Sequence, residues 1–563
     1  MPFFWPKEEA AEAHRWPATG QGGDRMRKSP HHPFAGRSLA VIDDLNRDER
    51  LYLYARAREL KEAHRRGDTT VLEAFRVGDP DFGMYEVFLE DSTRTRESFK
   101  NAAHFHRLKF SELNAASSSF NKSESYADTF ANLIGYDNRM FVIRSKLEGV
   151  CRYLAEQTER YHRRHRLSQG VSFINAGDGR HEHPTQELLD EFSFLEDRAW
   201  DSSEIHLALV GDLYHGRTVH SKVYGLRLFD AVRVDLVAPP ELSMPRHYVE
   251  EMRHAGFVVR EFGSIGEYLD QRAEPRGVAR QWYFTRPQLE RMGERVLRRA
   301  GELREAITFD PARREKLPPG TVFYHPLPRH REHPTIPVAL DDSPLNGWER
   351  QSANGWYVRM VLIALFAGRI GDDYQGPIGR PHTEDPPLIT EVRSRDVPPE
   401  DNTGKGRRYS EGIRPIHDGL VIDHIFTGAE PAAIRSHLTT LISVMQLHGR
   451  GGEWVSAGAD GRHKGLLFRP GHPGLGEDQV RKLAAVIPGA TVNIIRDGTV
   501  AHKYRLGHPQ RIWGLPELIC RNTACITFPE NGEQTLPSFR RGRTGAYICE
   551  YCSTTHAFTE VWR

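Results

Sequence analysis

Ser92-Thr93-Arg94-Thr95-Arg96 follows a strand-like run, EVFLE (86–90), and precedes Phe99, Ala102, Ala103 and Phe105, spaced to share one face of a helix. Hydroxyls and free backbone N–H groups at such a strand-to-helix turn sit at the positive helix end. With guanidinium groups beside them, they suit a phosphate. The same residues also fit an ordinary Ser/Thr-capped helix start with arginines in solvent. A second strand-like run, VSFINAG (171–177), leads to His183-Pro184-Thr185-Gln186, where proline near a helix start places an imidazole and an amide at a strand's carboxyl end. In VGDLYHGRTVHSK (210–222), Gly211 and Gly216 follow a strand and Arg217 opens a helix. This segment lacks both GxGxxG and GxxxxGK[ST], which excludes a dinucleotide fingerprint and a P-loop. Thr285-Arg286-Pro287-Gln288 and His325-Pro326-Leu327-Pro328-Arg329 each end a strand-like run with an X-Pro step. Five polar loops after strands match the face where α/β sheets gather ligand groups.

Cys520-x4-Cys525, then 23 residues, then Cys549-x2-Cys552 has the spacing of a four-thiolate tetrahedral zinc site. Four thiolates leave no position for a reacting water, so the expected role is structural: one Zn²⁺ per chain, whose binding helps fold a small piece. Cys151 stands apart and reads as a small buried hydrophobe.

The positioning elements follow from composition and pattern. At 563 residues the chain calls for about three or four domains, and 38% hydrophobic with 27% charged residues is a globular balance. A net charge of +1 provides no overall field toward nucleic acid or an anionic membrane. No apolar run is long enough for a membrane span or a signal peptide, which points to a cytoplasmic protein. Residues 1–36 read as a mobile extension without periodicity. From Ser38 to about Ile370, EVFLE and VSFINAG alternate with helix-length segments, as do MFVIRS (140–145), IHLALVGD (205–212), VRVDLVAP (232–239), QWYFTR (281–286) and TVFYHP (321–326). That pattern predicts two doubly wound α/β domains with parallel sheets. Six prolines between Pro377 and Pro399 mark a linker. Beyond it, strand, helix, strand, helix, strand and an Asp497-Gly498 hairpin turn predict a ferredoxin-like α+β domain, and the cysteine segment a small β zinc-ribbon-like domain.

STRTR (92–96), SSSFNKSE (117–124), HPTQ (183–186), GRTVHS (216–221), TRPQ (285–288) and HPLPR (325–329), taken together and in this order, resemble the catalytic chain of the aspartate carbamoyltransferase family over about residues 38–370. An ornithine carbamoyltransferase would show an HCLP segment and an SMG loop in place of HPLPR and TRPQ. The resemblance implies transfer of a carbamoyl group from carbamoyl phosphate to L-aspartate. It implies Ser92, Thr93, Arg94 and Thr95 on the phosphate; Arg94, Thr95, Arg144 and His183 on the carbamoyl oxygen; and Gln186, Pro326 and Leu327 around the carbamoyl nitrogen. Arg217, Arg286 and Gln288 would clamp the dicarboxylate, with Ser118 and Lys122 entering from a neighbouring subunit of a trimer-based homo-oligomer. A transcarbamylase with another amine acceptor and a non-catalytic regulatory scaffold are the alternatives. The implied layout is a carbamoyl-phosphate domain (37–185, completed by a helix over 350–370), an aspartate domain (186–349) and a linker (371–411).

Residues 419–563 resemble the family's regulatory chain through VIDHI (421–425), EDQV (477–480), ATVN (490–493) and the cysteine pairs. This implies a nucleotide-effector domain (412–510) and a zinc domain (511–563). Asp423, His424, Asn493 and Lys503 fall on effector positions, whereas Phe468 stands where the family has a nucleotide-contacting lysine. Loss of that cation predicts weakened ATP/CTP control. From 501 to 563 the net charge is only +3, a weak footprint for nucleic acid, so the zinc domain is expected to contact protein.

Overall fold

The computed structural model describes residues 32–113, 124–165, 170–273, 277–288, 297–379, 389–391, 416–457, 461–542 and 545–563. The chain divides into two compact units. The first holds residues 1–381, 522–535 and 551–553, and the second holds 382–521, 536–550 and 554–563.

In the first unit, β1 (Gly83–Phe88), β2 (Lys109–Glu112), β3 (Asn138–Ser145) and β4 (Ser172–Asp178) form a parallel sheet in the order β2-β1-β3-β4. A second parallel sheet runs β7-β6-β5-β8-β9, from β5 (Glu204–Val210), β6 (Ala231–Val237), β7 (Val258–Phe262), β8 (Gln281–Phe284) and β9 (Val322–Tyr324). All seven expected runs are strands, and two parallel sheets confirm the α/β reading. EVFLE ends early, at Phe88, which leaves Glu90 in the loop before the STRTR turn. β2 and β7 were not anticipated.

Helices cover the sheets because apolar residues line one stripe. α1 (Arg47–Arg66) starts with Asn46, whose side chain accepts from the Glu49 N–H, and ends on Gly67 in the left-handed region. α2 (Thr93–Phe105) buries Phe99, Ala102 and Ala103, the expected face. α3 (Pro184–Asp197) has proline in its first turn. α4 (Trp348–Phe366) packs against α1, α2 and α3, burying Val358 and Met360 through Phe366. Phe34, within the expected extension, is buried and stacks on Tyr52, while residues 1–31 lie outside the described ones.

The second unit contains a sheet ordered β10-β15-β14-β11-β13-β12. Its strands are β10 (Ile389–Glu391), β11 (Gly419–Ile425), β12 (Gly452–Ala457), β13 (His463–Pro470), β14 (Thr491–Arg496) and β15 (Thr499–Leu506). With α5 (Pro431–Met445) after β11 and α6 (Glu477–Val486) after β13, the inner order β14-β11-β13-β12 is the ferredoxin-like arrangement. The Asp497-Gly498 turn joins β14 to β15 with φ of 49° and 73°, as a two-residue hairpin requires. β12 was not foreseen, and β10 comes from the proline-rich linker to pair with β15. A small antiparallel sheet runs β16 (Arg511–Ile512), β17 (Phe539–Arg541), β18 (Tyr547–Cys549) and β19 (Thr555–His556). Among the described residues no helix is long and apolar enough to cross a membrane.

Candidate active site

The polar loops foreseen in the sequence all leave the carboxyl ends of parallel strands. After β1, Ser92 takes the N-cap position of α2 with φ −161° and its side chain makes no capping hydrogen bond, so the ordinary capped-helix alternative is not realised. Thr95 is buried, with Oγ1 3.4 Å from His183 Nε2. Arg96, expected to add a donor here, turns away and pairs with Glu112 of β2 at 3.0 Å.

Arg144, at the end of β3, donates from Nη1 to the Ala176 carbonyl at 3.0 Å, and its Nε lies 3.7 Å from Glu90 Oε2. Burial, followed by the nearby Arg217 guanidinium, lowers its pKa to about 10, which leaves it cationic at neutral pH. Arg217, at the start of the short helix Arg217–His220, donates to the Gly179 carbonyl at 2.9 Å and lies 3.4 Å from the same Glu90 oxygen. Gly177 sits between the two cations at φ 112°, and a Cβ there would stand 2.8 Å from Arg144 Nη1 and 3.3 Å from Arg217 Cζ. Only glycine lets both guanidinium groups approach this closely.

His183 occupies the N-cap of α3 and is fully buried. Burial first, then Arg144 and Arg217, hold its imidazole well below the usual histidine pKa, so it is neutral. A neutral ring with one N–H can donate to a developing oxyanion without giving up a proton. Gln186 donates its amide to Asp190 at 2.9 Å.

From the second sheet, Gln288 donates its backbone N–H to Asp212 Oδ2 at 2.9 Å and its side-chain amide to the His215 carbonyl at 3.4 Å. His325, after β9, is buried. Burial, then Arg329, Arg94 and Arg286, lower its pKa to about 3, so the Arg94 and Arg286 loops meet beside it. Its Nδ1 accepts the Leu327 N–H at 2.7 Å, and Leu327 has φ 55°, a strained left-handed conformation beside Pro326.

Arg144 and Arg217 thus meet at Gly177, buried His183 lies near both and against Thr95, and Arg94 and Arg286 come close to His325. Ser118 and Lys122 lie outside the described residues. Sequence reasoning missed Glu90, Asp212 and His215, and read His325 only as part of the HPLPR loop, without a role of its own. Glu90 carried a signal, being an acid immediately before an arginine-rich turn. Arg144 and Arg217 carry positive charge beside one carboxylate, Glu90, and guanidinium groups are the side chains best suited to pair with anions.

In the second unit, Asn493 pairs with Lys503 across β14 and β15, while Val421 pairs with Asn493 on one side and Phe468 on the other. These residues share one sheet face, with Phe468 at the position of the expected lost cation. Asp423 pairs with Lys464 at 2.9 Å, a cation the sequence reading missed, and His424 Nδ1 lies 3.1 Å from Thr491 Oγ1. Cys520, Cys525, Cys549 and Cys552 are buried and free of disulfides, and their sulfurs lie within 4.8 Å of one another. About 3.8 Å between sulfurs is what ~2.3 Å metal–sulfur bonds in a tetrahedron require, so the four thiolates fit a metal.

Comparison with known proteins agrees with this arrangement. Residues 37–196 match the family model of the aspartate/ornithine carbamoyltransferase carbamoyl-phosphate-binding domain. Residues 411–507 match the aspartate carbamoyltransferase regulatory chain's allosteric domain, and 510–562 its metal-binding domain. The fold and site therefore define a carbamoyl-transferring α/β enzyme carrying a regulatory region and a metal-binding domain. Protein PyrBI of Treponema denticola is 54% identical over 536 residues, covering 94% of this chain and 98% of that protein. The aspartate carbamoyltransferase catalytic subunit of Methanopyrus kandleri is 33% identical over 343 residues, 60% of this chain and 98% of that one. Aspartate transcarbamoylase from Trypanosoma cruzi, solved with carbamoyl phosphate, is similar at TM-score 0.51 and 26% identity, over 59% of this chain and 97% of that chain. The chain belongs to the aspartate carbamoyltransferase family, in the form that joins catalytic and regulatory chains, and it is an aspartate carbamoyltransferase.

Proposed function

We propose the following division of labour for carbamoyl transfer from carbamoyl phosphate to L-aspartate, a step of pyrimidine synthesis. Ser92, Thr93, Arg94 and Thr95 hold the phosphate at the α2 N-terminus. Arg94, Thr95, Arg144 and neutral His183 polarise the carbamoyl oxygen. Gln186 and the Pro326–Leu327 backbone orient the carbamoyl nitrogen, and Arg217, Arg286 and Gln288 clamp the two carboxylates of aspartate. The neutral amine attacks the carbonyl carbon, the oxyanion forms against Arg144 and His183, and the C–O bond to phosphate breaks as phosphate takes the amine proton. The observation that carries this reading is the meeting of Arg144 and Arg217 at Gly177 beside buried His183. Positioning two substrates together supplies ~7–11 kcal/mol of the barrier reduction, and each preorganised oxyanion donor ~3–4 kcal/mol.

Ser118 and Lys122 complete the site from a neighbouring subunit, which makes a trimer-based homo-oligomer the active form. Residues 37–185 and 186–349 form the two catalytic domains, 371–411 the linker, 412–510 the effector domain and 511–563 the metal domain. Zn²⁺ suits four thiolates, and when bound it supplies a closed tetrahedral cross-link. Asp423, His424, Asn493 and Lys503 face a nucleotide effector, which Phe468 weakens by replacing a cation. The protein acts in the cytoplasm, without nucleic-acid or membrane partners.

Steady-state kinetics with L-aspartate and L-ornithine in parallel, with and without CTP, on protein of measured mass and metal content, test these assignments. The expected result is turnover with aspartate alone, a trimer-based mass, one zinc per chain and little response to CTP. Turnover with ornithine, or an active monomer, would overturn the acceptor and assembly assignments respectively.

A further inference from the structure

Asp212, fully buried after β5, spends its carboxylate on two loops at once. Oδ1 accepts the backbone N–H of Tyr214 at 3.2 Å and of His215 at 2.9 Å, while Oδ2 accepts that of Gln288 at 2.9 Å from the loop after β8. The His215 imidazole completes the set, with Nδ1 3.2 and 3.1 Å from the two oxygens. Its carbonyl then accepts the Gln288 side-chain amide at 3.4 Å, and Thr285 Oγ1 donates to the Asp212 carbonyl at 3.2 Å. His215 is only 5% exposed and precedes Arg217 by two residues, so one imidazole stands behind residues of both acceptor-side loops.

We infer that His215 is a positioning residue for the amino-acid acceptor: through Asp212 it fixes Gln288 and, by its place in the loop, Arg217. The inference rests on the assignment of Arg217, Arg286 and Gln288 to the dicarboxylate. A buried carboxylate stays in one rotamer only while its lone pairs are matched. Without the imidazole, Oδ2 keeps the Gln288 N–H as its described partner, and the carboxylate can swing and draw Gln288 with it. The carbamoyl-phosphate groups Arg94, Thr95 and His183 have no hydrogen bond to this dyad among the described residues, so the effect is confined to the acceptor.

The test compares His215→Leu with His215→Asn in the full chain, measuring kcat and both KM values alongside thermal melting. Asparagine keeps an N–H that reaches Asp212, whereas leucine keeps only bulk. Loss of a charge-assisted hydrogen bond predicts a KM for L-aspartate raised about 10-fold or more in His215→Leu. The KM for carbamoyl phosphate stays within about twofold, and His215→Asn recovers most of the loss. In a Gln288→Ala background the leucine substitution should add little, because both act through one group. Parallel rises in both KM values, an asparagine variant as impaired as leucine, or full additivity with Gln288→Ala would overturn the inference. Should the leucine variant fail to fold, the asparagine variant and its cycle with Gln288→Ala decide alone. Wild-type protein that does not turn over aspartate would instead overturn the acceptor assignment itself.

Discussion

Replacing Lys222 with methionine removes the cation from a wholly buried cluster that stands behind the donor half of the site. Its ammonium lies 2.7 Å from Glu187 Oε2 and 2.8 Å from Asp190 Oδ2, and all three side chains are at most 1% exposed. Burial alone would lower the Lys222 pKa, but Asp190 and Glu187 more than offset it and hold it above the ordinary lysine value. Each pair has a gross attraction of about 6 kcal/mol at an effective dielectric of 20, most of which desolvation cancels. Methionine fills similar volume against the Tyr283 ring, whose centroid is 4.1 Å from the ammonium, so little of the loss comes from packing. What remains is the Asp190–Glu187 carboxyl pair buried without its cation. Removing one partner of a buried ion pair costs about 3–5 kcal/mol, less whatever Glu187, whose pKa burial pushes up to about 8, recovers by taking a proton. The strain reaches the site because Asp190 Oδ1 also accepts the Gln186 and Gln351 amides, at 2.9 and 2.6 Å, and Gln351 accepts the His325 N–H at 2.9 Å. Urea unfolding followed by intrinsic fluorescence, with the carbamoyl-phosphate KM measured in parallel, reads both effects. Lys222→Met should lower stability by about 3 kcal/mol or more, and adding Glu187→Gln should restore part of it by removing one of the two carboxyls left without a cation. A single variant within about 1 kcal/mol of wild type, or a double variant less stable than the single, would refute the uncompensated-charge argument.

Two further outcomes follow from buried titratable groups. Burial, then Glu112, pushes the Glu86 carboxyl up to about 8, and both its oxygens are buried without a hydrogen-bond partner among the described residues. Its folded value lies above the unfolded one, so its contribution is complete below about pH 4 and is lost as pH rises through about 8. Glu86→Gln should therefore raise the melting temperature more at pH 8.5 than at pH 5, and an equal shift at both would contradict the burial. His183→Ala should lower kcat by about 10²- to 10³-fold, the usual cost of an oxyanion donor. Since the imidazole is already neutral, the shape of the kcat profile between pH 6 and 9 should not change, and a new or missing limb would assign His183 a proton-transfer role instead.

The strands missed in the sequence share a cause. β2, β7 and β12 are all edge strands of their sheets. KFSE, VVREF and GEWVSA mix charged or small residues among the apolar ones, whereas MFVIRS and IHLALVGD, read correctly, are inner strands of continuous apolar runs. An inner strand of a parallel sheet is buried on both faces and must be apolar throughout, while an edge strand is free of that demand and is helped by charge.

What the chain determined by itself is local: where a strand gives way to a polar turn, where a helix starts at His183-Pro184, and which four cysteines can close on one metal. These are properties of neighbours within a few residues, governed by backbone propensity and ligand spacing. Which charges would face one another was decided only by the tertiary structure. Arg144 and Arg217 come from different sheets to meet over Gly177 and share Glu90, Arg96 is drawn off to Glu112, and Lys464 appears beside Asp423. Each of these pairings depends on strand order and register, which bring residues distant in sequence within a few ångströms and set the burial that makes their charges matter.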